Sequence, residues 1–238
     1  MSLDIQAIPV LSDNYVWLLT AGDGSRAVVD PGGAGPVIDL LGEGRLDLIL
    51  LTHHHADHTG GVNALRERYG AKVFGPSQKP EWLPRLDRGL EDGDTFFIGD
   101  VAVEVLLTPG HAVGHLSYVV PEVPALFCGD VLFSAGCGRL LEGTAEELFR
   151  SLHRYDVLPD DTLVCAGHEY TRSNIAFALH VEPDNPALKA RAAEVETLLE
   201  AGRPTLPVSL GTERATNPFL RASDVARFSE LRLQKDTF

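Results

Sequence analysis

The stretch from Leu51 to Gly61 packs four histidines and one aspartate into eleven residues, and His53, His55, Asp57 and His58 form the spaced pattern H-x-H-x-D-H. Imidazole nitrogens and carboxylate oxygens are ligands for zinc, iron and manganese ions. Read as an extended segment, side chains alternate faces, so His53, His55 and Asp57 share one face and His54 lies opposite. His58, directly after Asp57, then points away from that set. This suits two adjacent metal ions, His53 and His55 holding one, Asp57 and His58 the other. A histidine-rich surface loop is the blander reading, but the pattern directly follows a strand-like apolar run.

Further ligands must come from elsewhere in the chain. His111 follows Thr108-Pro-Gly, Asp130 follows Cys128-Gly and His168 follows Ala166-Gly. Each sits beside a glycine at the end of a strand-like run, where a small residue lets the backbone approach a crowded site. His115 competes with His111. The strand-terminal position favours His111 and leaves His115 a supporting role. His54, His153 and His180 read as structural or surface residues. Cys137 has no activating partner, and no Ser-His-Asp signature is present, so a metal-assisted hydrolytic centre is the chemistry to expect.

The elements that position these residues read as follows. Segments 5–10, 15–20, 26–29 and 46–51 have strand character, the last being apolar but for Asp47, as expected of a strand covered on both faces. Helices are expected over 34–41 and 60–69, with Thr59 as N-cap of the second. Residues 72–74, 96–98, 101–107, 116–120, 125–128 and 162–165 read as strands, and 76–94 as mostly loop. Thr144 and Glu147 form a capping box for a helix over 145–155. After Glu169 the composition changes: 170–180 and 186–201 read as helices and no strand-like run follows. The expected organisation is an α/β catalytic domain over residues 1–168 and a helical C-terminal region over 169–238.

The chain has 238 residues, a net charge of −14 and ordinary hydrophobic and charged fractions of 44% and 23%. That charge disfavours nucleic acid, which needs many cationic contacts. No run is long and apolar enough for a bilayer span, and the N-terminus shows no signal peptide. Three scattered cysteines without C-x-x-C point to reduced thiols and a cytoplasmic protein.

These motifs resemble the metallo-β-lactamase superfamily and, within it, the glyoxalase II (hydroxyacylglutathione hydrolase) family. The resemblance rests on Asp30-Pro-Gly, His53-x-His55-x-Asp57-His58, Thr108-Pro-Gly-His-x-x-Gly-His115, Gly136-Cys-Gly138, Gly167-His-Glu-Tyr-Thr171, Val181-Glu-Pro, Asn217-Pro-Phe and the terminal Leu231-x-x-x-Lys-Asp-x-Phe238. It implies a four-layer αβ/βα sandwich with a small helical C-terminal domain. It implies two divalent metal ions, zinc first, with iron or manganese as alternatives. His53, His55, His111 and Asp130 would bind the first, and Asp57, His58, Asp130 and His168 the second, Asp130 giving one oxygen to each. Asp57 would also orient the nucleophile. The implied reaction is hydrolysis of a small-molecule glutathione thioester, S-D-lactoylglutathione, to D-lactate and glutathione, the second step of methylglyoxal detoxification, by a monomer. The alternative is a glutathione-persulfide dioxygenase or another hydrolase of this fold. Substrate contacts carried over are Arg139, Tyr170 and Arg221. The family often has Lys at 139, Tyr at 141 and a Lys three residues after the C-terminal Arg. Here Arg139, Leu141 and Asp224 stand there, implying a different or weaker grip on the glycine end of glutathione.

Overall fold

The computed structural model describes residues 2–238. Met1, the first residue of the expected catalytic domain, lies outside them. The chain begins with strands β1 (Leu3–Val10), β2 (Asn14–Ala21) and β3 (Arg26–Val29), helix α1 (Gly35–Leu41), strand β4 (Leu48–Leu50), helices α2 (Ala56–Thr59) and α3 (Val62–Tyr69), and strands β5 (Lys72–Pro76) and β6 (Arg88–Leu90). These six strands form one sheet in chain order, antiparallel through β3 and parallel from β3 to β6. There follow β7 (Thr95–Ile98), β8 (Val101–Leu107), β9 (Leu116–Val120), β10 (Ala125–Gly129), a hairpin of β11 (Leu132–Phe133) and β12 (Gly136–Cys137), helix α4 (Ala145–His153) and β13 (Leu163–Ala166). The C-terminal part holds α5 (Thr171–Val181), α6 (Pro186–Glu200), β14 (Val208–Ser209), α7 (Leu210–Thr216) and α8 (Val225–Thr237). The second sheet runs β14-β13-β10-β9-β8-β7.

The period of two along each strand explains why the sheets stack. Tyr15, Trp17 and Leu19 of β2 face inward and join Leu48, Leu50, Phe96, Tyr118 and Phe127 in the core. Val16 and Leu18 face outward and join Ile49, Leu51, Val37, Val62 and Leu65 under α1 and α3. Both faces of β2 and β4 are therefore dry, which is why the segment 46–51 reads as a nearly continuous apolar run. Helices α5 and α6 pack on each other through Ile175, Ala178, Leu188 and Val195. The result is the expected four-layer sandwich with a helical C-terminal region.

Three expectations need correction. The segment 76–94 contains β6, an edge strand hidden in sequence by Arg88 and Gly89. The C-terminal region contributes a strand after all, since β14 pairs antiparallel with β13. Two residues are too few to leave an alternating pattern. Thr59 is not the N-cap of α3: it closes α2, its Oγ1 donating to the carbonyl of His55 at 3.1 Å. Gly61 takes the cap position.

Candidate metal centre

Strand β4 ends at Leu50 and delivers His53 into the interior, where it is fully buried. The alternation expected from 53 to 58 stops at His55, an extended residue (φ −60°, ψ 144°) that precedes α2. Asp57 and His58 are consecutive on that helical turn. The Asp30-Pro-Gly-Gly33 loop lies hard against it: a Cβ on Gly32 would stand 1.8 Å from the Asp57 carbonyl oxygen. Only glycine permits that approach.

Seven side chains converge from the ends of strands on both sheets. His55 Nδ1 lies 3.0 Å from His53 Nε2 and 3.1 Å from His111 Nε2, and His111 Nε2 lies 3.4 Å from Asp130 Oδ2. Beside this first cluster stands a second. His168 Nε2 is 3.3 Å from both His58 Nε2 and Asp57 Oδ2, and 3.4 Å from Asp130 Oδ2. His58 Nε2 is 3.6 Å from Asp57 Oδ2 and 3.4 Å from Asp130 Oδ1. A tetrahedral ion with bonds of about 2.1 Å sets its donor atoms about 3.4 Å apart. The second cluster has that spacing, at 3.3–3.6 Å, and the first is slightly tighter, at 3.0–3.4 Å. Asp130 Oδ1 is also buried without a hydrogen bond, a costly state for a carboxylate oxygen that a cation would relieve. The donor set therefore fits two metal ions. Asp130 Oδ2 faces both clusters and Oδ1 faces His58, where the resemblance implied one oxygen for each ion. His115 contributes no nitrogen to either cluster. Its ring stacks on His53 at 4.8 Å and its Nε2 accepts a hydrogen bond from the Asp130 amide at 3.2 Å.

The far nitrogens of these histidines are held as well, which fixes ring orientation. His58 Nδ1 meets Asp30 Oδ2 at 3.0 Å, His168 Nδ1 meets Asp13 Oδ1 at 2.8 Å, His111 Nδ1 meets the Arg139 carbonyl at 2.9 Å and His53 Nδ1 meets Thr52 Oγ1 at 2.9 Å. Asn14 Nδ2 donates to Asp57 Oδ2 at 3.1 Å. Burial opposes charge on His168, but Asp130, Asp57 and Asp13 outweigh it and push its pKa up to about 10. Burial likewise opposes ionisation of Asp130, yet His58 and His168 hold its pKa well below the usual carboxylate range. Burial drives His53 well below the usual histidine value. Asp13 and Asn14 read in sequence only as turn residues. The signal that identifies them is tertiary: the Tyr15 amide donates to the Gly167 carbonyl at 2.8 Å and the Glu169 amide to the Asp13 carbonyl at 2.8 Å.

The clusters sit at one end of a cavity of about 480 Å³ whose walls include Arg139, Tyr170, Arg232 and Lys235. Residues 11–168 match the metallo-beta-lactamase superfamily and residues 169–238 match the hydroxyacylglutathione hydrolase C-terminus. A protein of Acidiphilium cryptum named hydroxyacylglutathione hydrolase is 50% identical over 236 residues, 98% of this chain and 96% of that protein. This chain belongs to the hydroxyacylglutathione hydrolase family. Among solved structures, ETHE1 from Myxococcus xanthus superposes with a TM-score of 0.73 at 26% identity, covering 98% of this chain and 90% of that one. TTHA1623, solved in a di-iron-bound form, gives 0.65 at 26% identity, covering 91% and 99%.

Within this hydroxyacylglutathione hydrolase fold the expected substrate contacts divide. Arg139 and Tyr170 line the cavity, Tyr170 stacking on His168 at 4.6 Å. Arg221 does not. Buried Phe219 anchors its segment in the core, and Arg221 pairs with Glu182 at 3.2 Å in a separate surface groove. Asp224 is also outside the cavity, where its carboxylate accepts from the Arg227 amide and caps α8. The Arg and Lys spaced three apart are instead Arg232 and Lys235 on α8, and both line the cavity. Asp224 therefore removes nothing from the site. Lys235 belongs to the terminal Leu231-x-x-x-Lys-Asp-x-Phe238 motif, so this cavity cation is visible in the sequence, whereas Arg221 lies outside the cavity.

Proposed function

We propose that this enzyme hydrolyses S-2-hydroxyacylglutathione thioesters, S-D-lactoylglutathione among them, at a centre of two divalent metal ions. One observation carries the reading: two ligand clusters share Asp130 at the end of a cavity walled by Arg139, Arg232 and Lys235, in a chain of net charge −14. His53, His55, His111 and Asp130 would hold the first ion, and Asp57, His58, Asp130 and His168 the second. The di-iron form of TTHA1623 is in keeping with two ions. Zinc is the proposed metal, and iron or manganese suits the same nitrogen and oxygen donors. When bound, the ions supply the positive charge that polarises the thioester carbonyl and makes water nucleophilic near neutral pH.

The protein's own groups do the rest. Asp57, 44% exposed towards the cavity, accepts a hydrogen bond from the attacking water and aims it at the carbonyl carbon. Asn14 Nδ2, donating to Asp57 Oδ2, keeps its carboxylate oriented. The thiolate departs without a strong general acid, because a thiol is far more acidic than an amine. Burial pushes the Cys137 thiol up to about 11, so it stays protonated and is no nucleophile. Burial also raises the Tyr170 phenol to about 12, keeping it a hydrogen-bond donor to substrate. Arg139 and Lys235 receive the glutathione carboxylates. Arg232 turns inward, donating to the Cys137 carbonyl at 2.9 Å and to Asp236 at 3.0 Å.

Residues 1–168 would thus form the metal-binding unit, and residues 169–238 would supply Tyr170, Arg232 and Lys235. Among the described residues no helix is long and apolar enough to cross a membrane. The test follows thiol release from S-D-lactoylglutathione by fully metal-loaded protein, with oxygen uptake on glutathione persulfide measured in parallel. Thioester turnover is expected. Its absence at full loading, or oxygen consumption in its place, overturns the reading.

A further inference from the structure

His55 is the one histidine of the first cluster whose outer nitrogen is held neither by its neighbour in sequence nor by a backbone group. Its Nδ1 faces His53 and His111, and its Nε2 lies 3.3 Å from Glu142 Oε1. The same carboxylate oxygen lies 2.9 Å from His54 Nε2. The other oxygen, Oε2, accepts a hydrogen bond from the Val113 amide at 2.9 Å, and the Glu142 amide donates to the His111 carbonyl at 3.2 Å. Glu142 thus touches the segments that carry two first-cluster histidines. It also ends the short segment whose Arg139 carbonyl faces His111 Nδ1 and whose Arg139 and Leu141 side chains line the substrate cavity.

From this geometry we propose that Glu142 is a positioning residue for the first metal ion. It holds the proton of His55 on Nε2, so that the Nδ1 lone pair faces the ion. The proposal rests on the two-metal reading above. A neutral imidazole has one donor and one acceptor nitrogen, and the hydrogen bond made by one sets the role of the other. A carboxylate is acceptor-only when ionised, so Glu142 admits the Nε2–H tautomer and excludes the other. Both Glu142 oxygens face donors, Oε2 the Val113 amide and Oε1 the Nε2 atoms of His54 and His55, as an ionised carboxylate requires. His54 explains why its position is occupied without being a ligand: it shares the Glu142 oxygen and packs against Trp82 at 4.8 Å. Because Glu142 and Arg139 bracket one segment, the same contacts tie the substrate-facing wall to the first ion.

The test is metal retention, read separately from catalysis. Zinc-loaded wild type, Glu142→Ala, Glu142→Gln, Glu142→Asp and His54→Ala are titrated with a chromophoric chelator, and the zinc released is counted. In Glu142→Ala one ion of the two is expected to bind about 10–100-fold more weakly, the range found when an outer partner of a metal-bound histidine is lost, while the other ion is unchanged. Glu142→Asp is expected to recover part of the loss. His54→Ala should keep both ions as wild type does, since the role runs through His55. Circular dichroism of each metal-free variant checks the fold, and Glu142→Gln, which keeps the shape, is read if the alanine variant fails to fold. Wild-type retention of both ions in Glu142→Ala and Glu142→Gln, or equal weakening of both, overturns the proposal. A wild-type protein that holds no pair of ions would instead refute the metal centre itself.

Discussion

At the scale of single residues, the structure separates cations that line the cavity from a cation paired on another face. Arg139 has 68% of its side chain exposed and only a 3.7 Å contact to Asp236, and Lys235 lies on the cavity wall. Replacing either with Ala should raise KM by about 3–10-fold with kcat little changed, the pattern for lost binding felt equally in ground and transition states. Arg221→Ala should leave both constants near wild type, because its partner is Glu182 on another face. Steady-state kinetics decides the point, and a KM effect at Arg221 with none at Lys235 would reverse the assignment. His168→Ala should reduce the bound metal from two ions to one, and an unchanged metal count would remove it from the second cluster. Residues with short spacing, such as His53 to His58, were legible in the sequence because their chemistry is local. Asp13 was not, since it meets His168 across 155 positions. Glu142 was equally hidden, since it meets His55 across 87. Only the folded chain makes them neighbours.

At the scale of elements, the β11–β12 hairpin feeds Phe133 and Cys137 into the cavity and leads on to Arg139, yet its strands have two residues each. It is held from outside. Glu213 on α7, fully buried, accepts from Ser134 Oγ and the Ala135 amide at 2.8 Å, and Asn217 Nδ2 donates to the Phe133 and Gly136 carbonyls at 3.1 and 2.9 Å. Burial raises the pKa of Glu213, and the donors around it only partly offset that. Glu213→Ala strands those buried donors, and each unsatisfied group costs about 1–3 kcal/mol. Destabilisation of about 2–4 kcal/mol is expected in urea unfolding at equal metal loading. A change within about 0.5 kcal/mol, the range of ordinary surface substitutions, would show that the hairpin stands without α7. Here too local signals were readable and distant ones were not. The Thr144–Glu147 capping box forms as its spacing predicts, whereas the hairpin depends on residues about eighty positions away and left no pattern of its own.

At the scale of the whole molecule, the run 46–51 announced a strand covered on both faces, and the His- and Asp-bearing ends of strand-like runs announced the site. The sequence did not show that the metal centre is also the seam between the sheets. His58 follows β4 of the first sheet, while Asp130 and His168 follow β10 and β13 of the second. In metal-free protein protons take the place of the ions. Carboxylates hold His58 well above its ordinary pKa against the effect of burial, and push His168 up to about 10. In the unfolded chain both titrate near 6.5. The folded form therefore binds more protons between those values, so its extra stability is complete below about pH 6.5 and is lost as pH rises towards about 10. Bound ions require neutral imidazole rings, so loading at about pH 7.5 must expel those protons. Calorimetric zinc titrations in two buffers of different ionisation heat should give different apparent enthalpies, with His58 and His168 each releasing one proton. Urea unfolding should show stability falling across that alkaline window for metal-free protein and a flatter profile when ions are bound. Heats independent of buffer would mean that the metal-free histidines are already neutral, and that carboxylates and protons do not bridge the seam between the sheets.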